Sequence, residues 1–158
     1  MINWTFKRRT IAAAAILLVV AGCSSGNKSN TMHESQAGMA KSFHANLAGA
    51  QEVPPTASPA TGMATATLDP DGTLHWTVTY DGLSGAAAAA HFHGPAAPGA
   101  NAGVVVNIGQ QGLASPMQGS THLTAAQIAD LAAGRWYVNI HTAADPNGEI
   151  RGQVMPAN

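Results

Sequence analysis

The chain has 158 residues, 46% of them hydrophobic and only 9% charged, with 7 basic and 8 acidic side chains and a single cysteine. This balance excludes the basic surface that nucleic-acid binding needs, so no nucleic-acid partner is expected. One cysteine excludes an internal disulfide, and unusual chemistry falls to the seven histidines.

In chain order, Lys7, Arg8 and Arg9 precede an apolar run from Ile11 to Val20. Ten residues are too few to span a bilayer as a helix, and a positive stretch before a short apolar one reads as a signal peptide. The run ends in Val20-Ala21-Gly22-Cys23, which resembles the lipobox cut by lipoprotein signal peptidase. Residues 1–22 are therefore expected to be a lipoprotein signal peptide. Cys23 is the expected lipidation site and the membrane the expected partner. Without residues 1–22 four basic residues stand against eight acidic ones. Residues 23–41, rich in Ser, Gly and Asn, read as a lipidated cysteine followed by a flexible tether. Ser24, where an Asp would argue for retention in the inner membrane, favours the outer membrane within the cell envelope.

Residues 42–156 change texture to short alternating segments, enough for one domain. Phe43, Ala45 and Leu47 alternate with polar positions in a first strand, which Pro54 and Pro55 end. Thr61 to Leu68 and Thr73 to Tyr80 flank Asp69-Pro70-Asp71-Gly72, a hairpin signal. Ala86 to His93 is alanine-rich, as helices are. Its bracketing glycines and its period-two His-Phe-His ending nevertheless predict a strand. Val104 to Ile108 and Met117 to Leu123 follow as strands. Thr124 and Gln127 have capping-box spacing ahead of a short helix near 124–133. Arg135 to Thr142 and Glu149 to Met155 then flank a second hairpin turn, Asp145-Pro146-Asn147-Gly148. The fold class is all-β: a Greek-key β-sandwich or barrel of about eight strands with one short helix.

Side-chain parity assigns the histidines to faces. Phe43 and Leu47 leave His44 on the opposite side of the first strand. Leu74, Trp76 and Val78 oppose His75, and Trp136, Val138 and Ile140 oppose His141. Phe92 is the core residue between His91 and His93, which share one outward face about 6.5 to 7 Å apart. Such a pair with a third histidine from another strand can hold copper or, less favourably, zinc. His91, His93 and His141 are the candidate metal ligands, with His44 and His75 as further candidates if their strands are adjacent. Tyr137 shares parity with His141 and is expected near it. Glu149 and Arg151 share parity and are expected to form a structural ion pair, Ser84 reads as an ordinary loop residue, and no catalytic residue is identified.

Phe43-x-Ala45-x-Leu47-x-Gly49-Ala50-Gln51-Glu52-Val53-Pro54-Pro55, Gly62-x-Ala64-x-Ala66, Ala90-His91-Phe92-His93-Gly94-Pro95, Tyr137-Val138-Asn139-Ile140-His141-Thr142 and Gly148-Glu149-Ile150-Arg151-Gly152-Gln153-Val154 together resemble the CHRD domain family, named after chordin. The resemblance implies an extracytoplasmic β-sandwich module without an established common activity, and it covers His91, His93 and His141 but neither His44 nor His75. His-Phe-His-Gly is also similar, locally, to Cu/Zn superoxide dismutase, although that enzyme's disulfide and zinc loop have no counterpart here. The leading expectation is a lipid-anchored envelope module that binds copper. The alternatives are a metal-free interaction module with an unidentified protein partner and a dismutase-type copper enzyme.

Overall fold

The computed structural model describes residues 38–157. The expected signal peptide, Cys23 and most of the tether lie outside the described residues. Eight antiparallel strands form one sheet in the order β5-β4-β7-β8-β1-β2-β3-β6. They are β1 (Lys41–Ala48), β2 (Thr61–Leu68), β3 (Thr73–Asp81), β4 (Ala87–His93), β5 (Val104–Asn107), β6 (Met117–His122), β7 (Trp136–Thr142) and β8 (Ile150–Pro156). Among the described residues the one α-helix, α1, spans Ala125–Ala132. The all-β expectation holds, as a single sheet curled into a half-barrel.

Aromatic contacts measure the curl. β4 and β3 lie five places apart in the sheet, roughly 24 Å if it were flat. Yet Phe92 of β4 and Trp76 of β3 meet edge to face with ring centroids 5.8 Å apart. Trp136 closes on Phe92 from β7, also at 5.8 Å. Around this aromatic centre the concave face buries Leu47, Leu74, Val78, Val138, Ile140 and Ile150, each exposed by 2% or less. These alternate positions along each strand are the ones that parity assigns to the core.

Local chemistry sets the turns. In the β2–β3 hairpin Asp69 N–H donates to Thr73 O at 2.9 Å and Gly72 N–H to Asp69 O at 3.0 Å. Gly72 has φ +89, which a side chain would strain. The second turn closes similarly, with Gly148 N–H on Asp145 O at 3.0 Å and Gly148 at φ +131. Thr124 Oγ1 accepts from Gln127 N–H while Gln127 Oε1 accepts from Thr124 N–H, a reciprocal cap at the start of α1. The alanine run forms β4 because the sheet needs a strand there, between β5 and β7, and pairing overrides helix propensity.

β7 is buried on both faces. Its concave-face residues Trp136, Val138 and Ile140 join the core, and its convex-face residues Tyr137, Asn139 and His141 are overlaid by loops. Register aligns His91, Asn139 and Arg151 in one row across β4, β7 and β8, and His93, Tyr137 and Gln153 in the next. The segment 94–103, between β4 and β5, covers these rows. Gln153 Nε2 donates to Ala96 O, Arg151 donates to Ala100 O and Asn101 Oδ1, and Tyr137 Oη bonds both N–H and O of Ala102.

Candidate metal centre

His91 and His93 project from one face of β4, and His141 projects from the same face of β7, one row along. The ring centroids lie 5.1 Å (His91–His141), 5.4 Å (His91–His93) and 6.0 Å (His93–His141) apart. One ring nitrogen from each falls within 4.8 Å of the other two. His93 is 8% exposed, and the other two are half-buried.

Two of the three rings are fixed in one tautomer by backbone carbonyls. His141 Nδ1 lies 3.1 Å from Pro146 O and His93 Nδ1 lies 3.0 Å from Ala102 O. A carbonyl only accepts, so in each ring Nδ1 carries the proton and Nε2 keeps its lone pair. Nε2 of His93 is buried with no hydrogen-bond partner. Nε2 of His141 faces Nδ1 of His91 at 3.2 Å. In the metal-free protein His91 Nδ1–H therefore donates to His141 Nε2, and a shift of that proton to Nε2 of His91 would free a third lone pair.

Electrostatics keeps the rings neutral. Burial lowers the pKa of all three below the ordinary histidine value. Charge on His141 and His93 lowers His91 further, and His141 and Arg151 do the same to His93. The carbonyls of Ala102 and Gly103 on His93, and of Pro146 on His141, pull the other way without reversing the direction. Neutral imidazole is the ligating form.

His93 also anchors a stack. Its ring lies parallel to that of Tyr137, with an interplanar angle of 3° and centroids 4.8 Å apart, and the Arg151 guanidinium carbon sits 3.5 Å from the Tyr137 centroid on β8's side. Tyr137 was expected beside His141, but it stacks on His93, its directly opposed partner in the register. The outward face that His91 and His93 share is covered at His93 by the 94–103 segment, whose Ala102 carbonyl bonds the ring.

Of the five candidate ligands, the structure brings together His91, His93 and His141. His44 is exposed on β1, which β8 separates from β7, and His75 on β3 bonds Asp69 at 3.1 Å. β2 lies between β1 and β3, so the adjacency required of His44 and His75 is absent.

The acidic residues are distributed differently from expectation. Glu149 and Arg151 form no ion pair. Among the described residues the ion pair between fixed charges is Arg135–Asp130, and Asp69 meets the imidazole of His75. Glu149 precedes β8 and is wholly buried, accepting bonds from Ser58, Ser84 and Thr142. Ser84 is thus a structural donor through both its N–H and its hydroxyl. Burial acts to raise the Glu149 pKa, but these donors outweigh it and hold the carboxyl at about 2. Glu52 goes the other way: burial raises it to about 7, against the lowering effects of Arg151 and Asn139. Sequence reasoning did not place Glu52, Asn139 or the 94–103 segment near the histidines. Shared parity of Asn139 with His141 was the one available signal.

The family model for the CHRD domain matches residues 43–154. The chain belongs to the CHRD domain family. The CHRD domain thus supplies all eight strands, the helix and the three-histidine cluster, and it marks an envelope-type module. No curated protein and no solved structure matches the chain. No helix among the described residues is long and apolar enough to cross a membrane.

Proposed function

We propose that this CHRD domain is a lipid-anchored envelope module that binds a transition metal, copper before zinc, through His91, His93 and His141. The supporting observation is the buried, unpartnered Nε2 of His93, held toward two other imidazoles by a carbonyl on its far nitrogen. An orphaned buried acceptor costs about 1–3 kcal/mol when nothing satisfies it, and an ion at the cluster would remove that cost. Backbone carbonyls on the non-ligating nitrogens are the usual outer partners of metal-bound histidine. A donor set of nitrogens alone, without thiolate or carboxylate, ranks copper above zinc by the Irving–Williams order. Bound copper would supply a one-electron couple. The chain's own residues orient the three rings, keep them neutral and cover one side of them, as sequestration or delivery requires. Cys23 supplies the attachment: the lipobox favours lipidation there, and Ser24 favours the outer membrane.

Equilibrium dialysis of the detergent-solubilised protein against copper tests the reading. One equivalent is expected to bind, and both His93→Ala and His141→Ala are expected to abolish it, with His44→Ala and His75→Ala unchanged. Unaltered stoichiometry and affinity in His93→Ala and His141→Ala would leave a metal-free interaction module as the better description. Mass spectrometry of the N-terminus checks the anchor, with a diacylated Cys23 expected and its absence in Cys23→Ala.

A further inference from the structure

The half-barrel is open along one seam. β5 and β6 end the strand order, so each is bonded to a neighbouring strand on one side only. They do not pair with each other, and a cavity of about 250 Å³ lies between them. Four consecutive positions from each side line it, 105–108 at β5 and 120–123 at β6. Successive side chains of a strand point to opposite faces, so a cavity lined by consecutive residues meets the edges of both strands.

The register tells which backbone groups face that seam. Along an antiparallel pair, alternate residues turn both N–H and C=O toward the same neighbour. Thr73 O accepts from Asp69 N–H on the β2 side, so Leu74 and Trp76 turn to β6, opposite Thr121 and Gly119. Leu123 N–H on Gly72 O at 2.9 Å keeps the same alternation. The backbone groups of Gln118, Ser120 and His122 therefore point into the seam. At the other wall Ile108 N–H donates to Ala90 O at 3.0 Å, which leaves the N–H and C=O of Asn107 facing the seam. Trp76 lines the cavity and packs its indole on Gly119, where a Cβ would stand 2.5 Å from Cζ2. Gln110, Gln111 and Gln127 also line it, and among the described residues no Lys, Arg, Asp or Glu does.

We propose that the seam takes an extended, uncharged polypeptide segment of a partner protein as a ninth strand, bonded by β6 on one side and β5 on the other. Two facing edges of backbone donors and acceptors match a main chain, which offers the same groups alternately to its two sides. β5 and β6 run in opposite directions, so the segment lies antiparallel to one wall and parallel to the other. A second copy of this chain does not fit that slot. Its edge strands are already bonded to their own sheet on one side, so each can satisfy only one wall. The lining offers no fixed charge to pair with one on the segment, and burying an unpaired charge there is costly. This reading does not depend on the metal site.

Isothermal titration calorimetry of the detergent-solubilised full chain tests it with acetyl-Thr-Val-Thr-Val-Thr-amide, an uncharged peptide of strand-forming residues. One equivalent is expected to bind and to slow amide hydrogen exchange at Ser120 and His122. N-methylating both valines removes the peptide's donors on one side, and N-methylating its threonines removes those on the other. Each analogue is expected to bind about tenfold or more weakly. Ser120→Pro removes a seam-facing N–H while sparing the bonds to β3, since proline is tolerated on the free side of an edge strand. It is expected to weaken the peptide by a similar factor and to leave copper binding unchanged. The methylated analogues on the unmutated protein keep the test valid should that variant fold poorly. No peptide binding, full affinity of either methylated analogue, or unchanged affinity in a folded Ser120→Pro would overturn the proposal. So would protection of the same amides by an N-acetylglucosamine tetramer, or a dimer that Ser120→Pro dissociates. Tighter binding by a synthetic peptide of residues 24–37 would overturn it as well, by giving the seam to the chain's own N-terminal segment.

Discussion

Glu149→Gln tests whether the turn after β7 is held by a buried charge. The carboxylate is fully buried and accepts four bonds: Ser58 Oγ at 2.7 Å and Ser84 N–H at 2.8 Å on Oε1, then Ser84 Oγ at 2.7 Å and Thr142 Oγ1 at 2.6 Å on Oε2. These donors come from three separate stretches of chain, so the side chain fastens the β8 end of the hairpin to the β1–β2 and β3–β4 connections. Its folded pKa of about 2 lies below the usual 4.5. A depressed carboxylate stabilises the fold fully above its unfolded pKa, and that contribution is lost as pH falls from about 4.5 through about 2. The gap converts to about 3 kcal/mol. The glutamine keeps the shape but removes the charge and turns one acceptor into a donor facing hydroxyls. Urea denaturation at pH 7 should show a loss of about 3 kcal/mol, and the variant's stability should depend less on pH between about 4.5 and 2. A variant within about 0.5 kcal/mol of the parent at pH 7, with a parallel acid profile, would refute the clasp.

Glu52→Gln should show the opposite sign. An acid raised to about 7 in the folded state costs stability as pH rises from about 4.5 through 7, so the variant's stability should fall less than the parent's over that window in the same denaturation series. Tyr137→Phe keeps the stack on His93 but loses both hydroxyl bonds to Ala102, whose carbonyl orients His93. Copper affinity should fall about tenfold in competition with a chelator, without a change in stoichiometry. Phe92→Ala empties the contact between Trp76 and Trp136 and should cost about 3–5 kcal/mol by chemical denaturation. Thr124→Ala breaks the reciprocal cap of α1 and should cost about 1 kcal/mol in the same assay.

The strands were legible because their ends carry turn chemistry and their interiors alternate. Thr61–Leu68 is found with the same bounds as expected, and the neighbouring strands differ by a residue or two. The three-histidine cluster was legible through parity, which is intrinsic to a strand. What parity cannot supply is register. Tyr137 and His141 share a face, but four residues along a strand place them roughly 13 Å apart, whereas a directly opposed residue on the next strand is about 5 Å away. Tyr137 therefore meets His93, its partner across β4–β7. Glu149 missed Arg151 for a related reason: it stands before β8 begins, and strand parity does not govern the turn it occupies.

The cover over the histidine face was illegible for a deeper cause. The contacts that orient His93 and His141 end on Ala102 O and Pro146 O, and those that tie Arg151 and Gln153 to the same cover end on Ala100 O and Ala96 O. Every residue carries such a carbonyl, so a loop that works through its backbone leaves no side-chain signature, and an alanine-rich stretch reads as filler. Replacing Ala102 would leave that carbonyl in place. Removing Tyr137's hydroxyl, which bonds the same carbonyl and the N–H of Ala102, disturbs the carbonyl's position instead. The Tyr137→Phe measurement therefore separates a cover that sets the ligand geometry from one that only shields it: a cover that only shields would leave copper affinity unchanged when its anchor is loosened.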